Sequence, residues 1–186
     1  NLSNIAEKLQ KEIIIISTNL RETRFKSLKW LYNYGFGLAS TAIILESLYS
    51  KVLISANRKF IDYKNQQAGD HPDLVPLFST SNTNFVLKSA DKNRMEKIEF
   101  LSNHQVALEN LRVCWKSQSF YNCSMCEKCF RTMVAFDLIG KLNSCSSFDI
   151  ENYDNKKLSK IYIKNNTVAK LWSDLLKYAI KVNKKT

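Results

Sequence analysis

Apolar and polar positions along the chain follow three patterns, and each predicts a different kind of element. Glu12 to Ser17 reads EIIIIS, a continuous β-branched run that predicts a strand buried on both faces. Lys51 to Ser55 (KVLIS) predicts a second short buried strand, and Phe85 to Leu87 a third. Between the first two, residues 26–49 read as helical, with a long apolar stretch from Phe36 to Leu48. Gly35, Gly37, Ala39 and Ser40 keep the first turns of that helix small, which permits close packing on a sheet. Residues 3–10, Lys92 to Ser102, Gln105 to Asn110 and Glu127 to Ile139 predict further helices, the last ending at Gly140 as a left-handed cap. Leu111 to Cys114 reads as a last short strand. Thr167 to Val182 places Leu171, Leu175, Leu176 and Ile180 on one stripe, the mark of a docked amphipathic helix. Strand, helix and strand in that order predict an α/β fold, a parallel sheet with flanking helices and a right-handed crossover. Ala56 to Pro76 interrupts this regularity with a long polar loop containing Gly69-Asp70-His71-Pro72-Asp73. Loops of this length inside a compact domain are usually functional or mobile.

Composition narrows the class. The 186 residues are 45% hydrophobic and 24% charged, with two prolines and four glycines, which excludes a disordered tail, a collagen-like chain and a small disulfide scaffold. The apolar run Ile13 to Ile16 is far too short to span a bilayer, and no basic-then-apolar leader opens the chain. The expectation is therefore a cytoplasmic protein with no membrane partner. The net charge of +11, from 28 Lys+Arg against 17 Asp+Glu, favours an anionic partner: a nucleotide, a nucleic acid or an acidic protein. The lysines are spread along the chain, so a merely solvated surface competes with that reading. Their main cluster is the tail, Lys181 to Lys185, and there is no RNP-like aromatic motif or basic-region helix.

The strongest chemical signal is Cys114-x8-Cys123-x2-Cys126-x2-Cys129. Four thiolates complete a tetrahedral zinc shell, and two-residue spacers let successive sulfurs turn inward on a tight loop. Cys126 and Cys129 fall at the start of a predicted helix, whose amides and dipole are expected to lower their pKa. Cys114 would bring the fourth sulfur across the loop and pin residues 115–122. With no obvious open position, the metal would be structural. An iron–sulfur cluster competes, because cysteines at this spacing also suit a cubane. Cys145 is a spare, read as a small apolar residue. An odd total of five cysteines suits a reducing compartment better than a disulfide framework. Trp115, Phe120 and Tyr121 are expected to pack around the loop, with base stacking as the sharper option.

This cysteine block resembles the C-terminal zinc motif of the 7-cyano-7-deazaguanine synthases, which are PP-loop ATP pyrophosphatases with an adenine nucleotide alpha hydrolase-like fold. Here it reads C-W-K-S-Q-S-F-Y-N-C-S-M-C-E-K-C-F-R-T. The upstream segment S-A-N-R-K-F-I-D … G-D-H-P-D-L-V-P-L-F is similar to the family's Asn, Asp and Tyr-Pro-Asp elements. The T-N-L-R segment and the L-R-V-C-W … N-C … C-E-K-C block resemble a related PP-loop-like group. The matches span about residues 12–140. Two departures stand out. Ser124 replaces the motif's usual Gly, so the knuckle turn must tolerate a side chain. The family's phosphate loop, Ser-Gly-Gly-x-Asp-Ser, has no counterpart, and the chain lacks any Gly-Gly pair. The resemblance implies that this loop lies upstream of Asn1, and that the chain alone is inactive toward ATP. It implies residues 1–113 as the C-terminal part of the sheet domain, and 114–186 as the zinc loop with C-terminal helices. It also implies an ATP- and Mg2+-dependent enzyme that adenylates a carboxyl or carbonyl oxygen of a small-molecule or nucleobase-type substrate. A nitrogen or sulfur nucleophile would then displace AMP. A homodimer is a further possibility. A zinc module that binds or modifies tRNA, or a scaffold without catalysis, are the competing functional readings.

In open α/β sheets ligands bind beyond the carboxyl ends of the strands. Thr18, Asn19 and Arg21 follow the first predicted strand, and Ser55, Asn57 and Arg58 the second. Asn reads a base edge and Arg clamps phosphate or carboxylate; ordinary turn chemistry is the competing account. His71 could serve as acid, base or substrate contact, or be a solvated loop histidine. Asp73 could hold a ring nitrogen or cap a helix. By family likeness Arg131 faces the substrate; otherwise it forms a surface ion pair. No catalytic residue is assigned.

Overall fold

The computed structural model describes residues 2–64, 66–116 and 122–182. Its regular elements run α1 (Leu2–Lys8), α2 (Trp30–Ile43), β1 (Lys51–Ser55), β2 (Asn84–Lys88), α3 (Arg94–Leu101), α4 (Gln105–Asn110), α5 (Glu127–Leu138), α6 (Asn155–Leu158) and α7 (Asn166–Lys181). Contacts divide the chain into a sheet unit, Ile14–Arg94, and a cysteine unit, Asn1–Ile13 with Met95–Thr186. None of the described helices is long and apolar enough to cross a membrane.

In the sheet unit the expected parallel pairing is present. β1 and β2 run side by side, with Lys51 opposite Asn84 and Ser55 opposite Lys88. Alternation then sorts the side chains. Ile54 and Phe85 are buried with Ala39 of α2 and Val75, and Val52 and Leu87 pack against them. Leu53, pointing the other way, is 58% exposed, so β1 is buried on one face rather than two. The larger correction is at Glu12 to Ser17. This run forms no strand, and Ile15 is 82% exposed. A doubly buried strand needs a ladder partner at its edge as well as apolar residues. Among the described residues the sheet holds only β1 and β2, and neither pairs with it.

The small residues of α2 divide their roles: Ala39 packs with the sheet, whereas Gly35 approaches a loop. A Cβ on Gly35 would lie 1.7 Å from the Gly69 carbonyl oxygen. The Gly69 amide donates to the Leu31 carbonyl oxygen at 2.9 Å, fastening the loop to the first turn of the helix. Gly37 faces Leu20 Cδ2 instead, 3.2 Å from where its Cβ would be.

The cysteine unit is built around α5, which is buried nearly all round, as a central helix must be. Phe130, Met133 and Phe136 sit among Met95 and Ile98 of α3, Leu108 of α4, and Leu175 and Ala179 of α7. The predicted left-handed cap is present: Gly140 has φ +68°, and Lys141 N–H donates to the Phe136 carbonyl at 2.8 Å. α7 docks through a stripe that keeps Leu175 of the predicted one but turns Leu176 and Ile180 outward. Leu175 and Ala179 are buried with Trp172 and Tyr178 packed against the core, whereas Leu176 is 53% and Ile180 67% exposed. The large rings of Trp172 and Tyr178 turn the helix toward their own side. Tyr178 OH also donates to Glu99 Oε1 of α3 at 2.6 Å.

The two α2 glycines give a paired test. Gly35→Ala forces backbone apart at Gly69 and should cost the sheet unit about 3 kcal/mol or more. Gly37→Ala meets only the tip of a leucine and should cost under about 1 kcal/mol. Urea denaturation of the two variants measures the difference; equal losses would contradict the close approach.

Candidate metal centre

Cys114, Cys123, Cys126 and Cys129 converge, with all four Sγ atoms within 4.8 Å of one another. Four of the separations are 3.3 Å (114–123), 3.7 Å (114–126), 3.5 Å (126–129) and 3.8 Å (123–129). A tetrahedral ion with metal–sulfur bonds of about 2.3 Å spaces its ligands about 3.8 Å apart, so the donor set fits a single tetrahedral metal ion. Cys114 and Cys129 are buried, and Cys123 and Cys126 half-buried. Cys126 is the N-cap of α5 and Cys129 lies in its first turn.

Local chemistry explains the convergence. The stretch before Cys114 is not the predicted strand: residues 111–114 are extended without a ladder. Its backbone is satisfied by one buried side chain instead. Asn122 Oδ1 accepts from Val113 N–H at 2.9 Å and Cys114 N–H at 3.2 Å. Asn122 Nδ2 donates to the carbonyls of Leu111 at 2.8 Å and Ser147 at 2.9 Å. Ser124 occupies the turn between Cys123 and Cys126 with φ +54°, a left-handed conformation that glycine would adopt without strain. Its fully buried side chain is used: Ser124 Oγ accepts from Asp149 N–H at 2.8 Å. Thus serine tolerates the position because it anchors a second loop. Lys116 N–H donates to Cys114 Sγ at 3.2 Å, as amides do toward ligating sulfurs.

The expected lowering of the thiol pKa values at the helix start is reversed. Burial pushes both Cys126 and Cys129 up; the Cys126 and Cys123 thiols add to the rise at Cys129, whereas at Cys126 the Cys123 and Cys114 thiols add to it and the Cys129 thiol opposes it. The Cys129 amide opposes this at Cys126, but it is the smaller effect. Four thiolates this close cannot coexist without a cation. Cys145, the spare, is buried in the core, its thiol pushed up by burial and its Sγ 3.4 Å from the Leu108 carbonyl.

Arg131 forms an ion pair, as one of its two expected roles has it, but a buried one rather than a surface one. It is 5% exposed, and its Nε donates to Glu127 Oε1 at 2.6 Å one turn earlier. Trp172 Nε1 donates to the same oxygen at 3.0 Å. Arg131 Nη1 is buried with no hydrogen-bond partner among the described residues. Trp115 does not pack around the loop; it is 84% exposed. Phe120 and Tyr121 lie outside the described residues, as do Lys184 and Lys185 of the basic tail.

The sheet unit gathers a second polar cluster, beyond the carboxyl end of β1. Asp70, 1% exposed, accepts at Oδ2 from Asn57 N–H at 2.9 Å and Tyr63 OH at 2.6 Å. Asn57 Nδ2 donates to Tyr34 OH at 2.9 Å. Asp70 Oδ1 is buried without a hydrogen-bond partner among the described residues. Burial, reinforced by the Asp70 carboxylate, holds the phenols of Tyr34 and Tyr63 well above their ordinary value. Of the predicted residues, Asn57 belongs to this network, and Arg58 joins it through its backbone N–H, which donates to Tyr63 OH at 3.3 Å. His71 packs edge-on against Tyr63 at 5.7 Å and lines an open cleft of about 560 Å³ with Tyr32 and Lys64. Asp73 is exposed, and its side chain caps no helix among the described residues; its amide donates to His71 Nδ1 at 3.2 Å. Ser55 ends β1 facing solvent. Asn19 lines a separate cleft of about 410 Å³ with Thr18 and Ser40. The Arg21 guanidinium lies 4.5 Å from the Trp30 ring centre, a cation–π contact. Asp70, Tyr34, Tyr63 and Asn122 escaped the sequence reading. Only the Gly69-Asp70 pair in a polar loop and the Asn122-Cys123 pair hinted at them.

No family model matches the chain, and comparisons with curated proteins and with solved structures find no match.

Two measurements follow from these networks. Asn122→Ala strands four backbone groups and should cost the cysteine unit about 2–4 kcal/mol, read by urea denaturation. A loss within about 0.5 kcal/mol would contradict its bridging role. Tyr63 carries the pH effect. Its phenol stays protonated in the folded state above about pH 10, where the unfolded chain has begun to shed that proton. Stability from this group is therefore complete below about pH 10 and lost as pH rises through the raised value. Tyr63→Phe should make the loss of stability between about pH 10 and pH 12 shallower, measured by denaturation at each pH.

Proposed function

We propose that the four cysteines hold one structural zinc ion, and that the chain is a zinc-stabilised part of an ATP-dependent PP-loop-type α/β enzyme. The sulfur tetrahedron carries the first half of this reading. Zinc suits it because four neutral thiols are ordinary when apart, but four close ones release their protons readily only to a dication. A cubane holds four irons inside its thiolate shell and needs its sulfurs spread well beyond 3.3–3.8 Å. All four positions of the ion are taken by cysteine, so the metal organises structure and offers no site for substrate.

The second half rests on the motif resemblance, together with the parallel β1–β2 pair and the Asn57 network beyond the end of β1. In such an enzyme a carboxyl or carbonyl oxygen of the substrate attacks the α-phosphorus of ATP, and pyrophosphate leaves with Mg2+. A nitrogen or sulfur nucleophile then displaces AMP. A deazaguanine-type nucleobase acid is one substrate of this class. In this reading Asn57 would read a base edge; that its backbone N–H donates to Asp70 and its side chain to Tyr34 supports the assignment.

Elemental analysis of protein purified without added metal should give one zinc per chain and no visible absorption band. Cys126→Ser should lose the zinc and the folded signal of the cysteine unit together. Iron with sulfide would overturn the zinc assignment. Exchange of labelled pyrophosphate into ATP, with a nucleobase carboxylic acid present, tests the enzyme separately. Zinc without exchange would leave the structural centre standing and remove the ATP-dependent reading.

A further inference from the structure

Beside the cysteine cluster opens a cleft of about 480 Å³ that the metal centre does not use. Cys114 and Cys126 form one wall, and Lys116, Lys128, Lys160 and Lys164 line the rest with Trp115 and Tyr162. All four lysines are exposed, and none forms an ion pair among the described residues. The negative charge in the cleft is smaller. Glu127 lines it too, but its carboxylate is answered by Arg131. A zinc tetrathiolate carries two negative charges against the four lysines, and neutral thiols carry none. The cleft is positive in either state.

The aromatics decide what kind of anion suits it. Trp115 is 84% exposed and Tyr162 80% exposed, although tryptophan and tyrosine normally bury most of their rings. They stand at an open mouth, not inside an enclosed slot. A mononucleotide there would cover little of either ring. A strand crossing the mouth would stack successive bases on the rings while its phosphates meet the lysines. Duplex DNA or RNA keeps its bases stacked inside and offers the rings nothing.

We propose that this cleft binds single-stranded nucleic acid, with Trp115 and Tyr162 as base-stacking platforms and Lys116, Lys128, Lys160 and Lys164 as phosphate contacts. The site does not depend on the ATP-dependent reading, since it lies wholly within the cysteine unit. It gives the chain's +11 charge a specific outlet.

Fluorescence anisotropy of a labelled single-stranded 12-mer, titrated with the zinc-loaded protein, tests the proposal. Binding should fall with salt, with a log–log slope of about −3 if the four lysines all meet phosphates. Trp115→Ala or Tyr162→Ala should each weaken binding by about tenfold and leave that slope unchanged. Lys160→Gln with Lys164→Gln should make the slope shallower by about 1.4. Zinc content and melting temperature serve as controls, because all these side chains are exposed. Three results would overturn the proposal: no binding at low salt, AMP or ATP competing as well as the unlabelled 12-mer, or affinity that none of these substitutions changes. A duplex bound as tightly as the single strand would also overturn it.

Discussion

Four sulfur atoms within 4.8 Å of one another impose an electrostatic constraint that shapes the whole cysteine unit. As neutral thiols they fill a small buried space and pair weakly. As thiolates they repel, and burial makes that repulsion stronger. Only a cation at their centre resolves the conflict, which is why the donor set itself argues for a metal. The surrounding hydrogen bonds then have a definite task, which is to hold the Cys114 segment against the Cys123–Cys129 stretch where their sulfurs meet. Asn122 does this from inside, and Ser124 ties the tightest turn to Asp149. A strained φ at Ser124 is acceptable because the hydroxyl recovers a buried hydrogen bond that glycine could not make.

The same arrangement sets the start of the central helix. Cys126 caps α5 and Cys129 lies on its first turn, so the helix begins where the cluster ends. From there α5 runs through the core to Gly140. Arg131 shows how strict that burial is. Its charge is kept inside only because Glu127 lies one turn back and is itself fixed by Trp172 of α7. The cluster, the core helix and the docking helix are therefore linked through a short chain of named contacts, all within one unit.

Local signals were legible where they needed no distant partner. The cysteine spacing, KVLIS, the helix over Gln105–Asn110 and the Gly140 cap are each set by a few neighbouring residues, and each stands where the sequence put it. The departures arise where a distant partner or the surroundings decide. EIIIIS has strand propensity, but propensity does not create the neighbour that a ladder requires. Residues 111–114 look like a strand because they are apolar and extended; their hydrogen bonds go to Asn122 instead. The leucines of α7 mark its docking face only in part: Leu175 is buried, but the rings of Trp172 and Tyr178 turn the helix so that Leu176 and Ile180 face out. At Cys126 and Cys129 the helix dipole was given more weight than desolvation, which in a buried cluster is the larger effect.

The two units differ in how much of their chemistry they complete alone. Among the described residues, the cysteine unit has sixteen buried residues in its core cluster, and its four ligands all come from within it. The sheet unit has four, and a two-stranded parallel sheet is a small support for residues as buried as Asp70. Its order comes from polar contacts instead: Asp70 gathers Asn57 and Tyr63, and the Gly35–Gly69 approach holds that loop to α2. Such a network is specific in geometry but costly when a member is unmet, and Asp70 Oδ1 is unmet among the described residues. One oxygen of the Asp70 carboxylate is thus bonded twice and the other, among the described residues, not at all, which makes it an expensive structural element. The sheet unit is therefore ordered by a few named polar contacts, where the cysteine unit is ordered by its apolar core and its converging sulfurs.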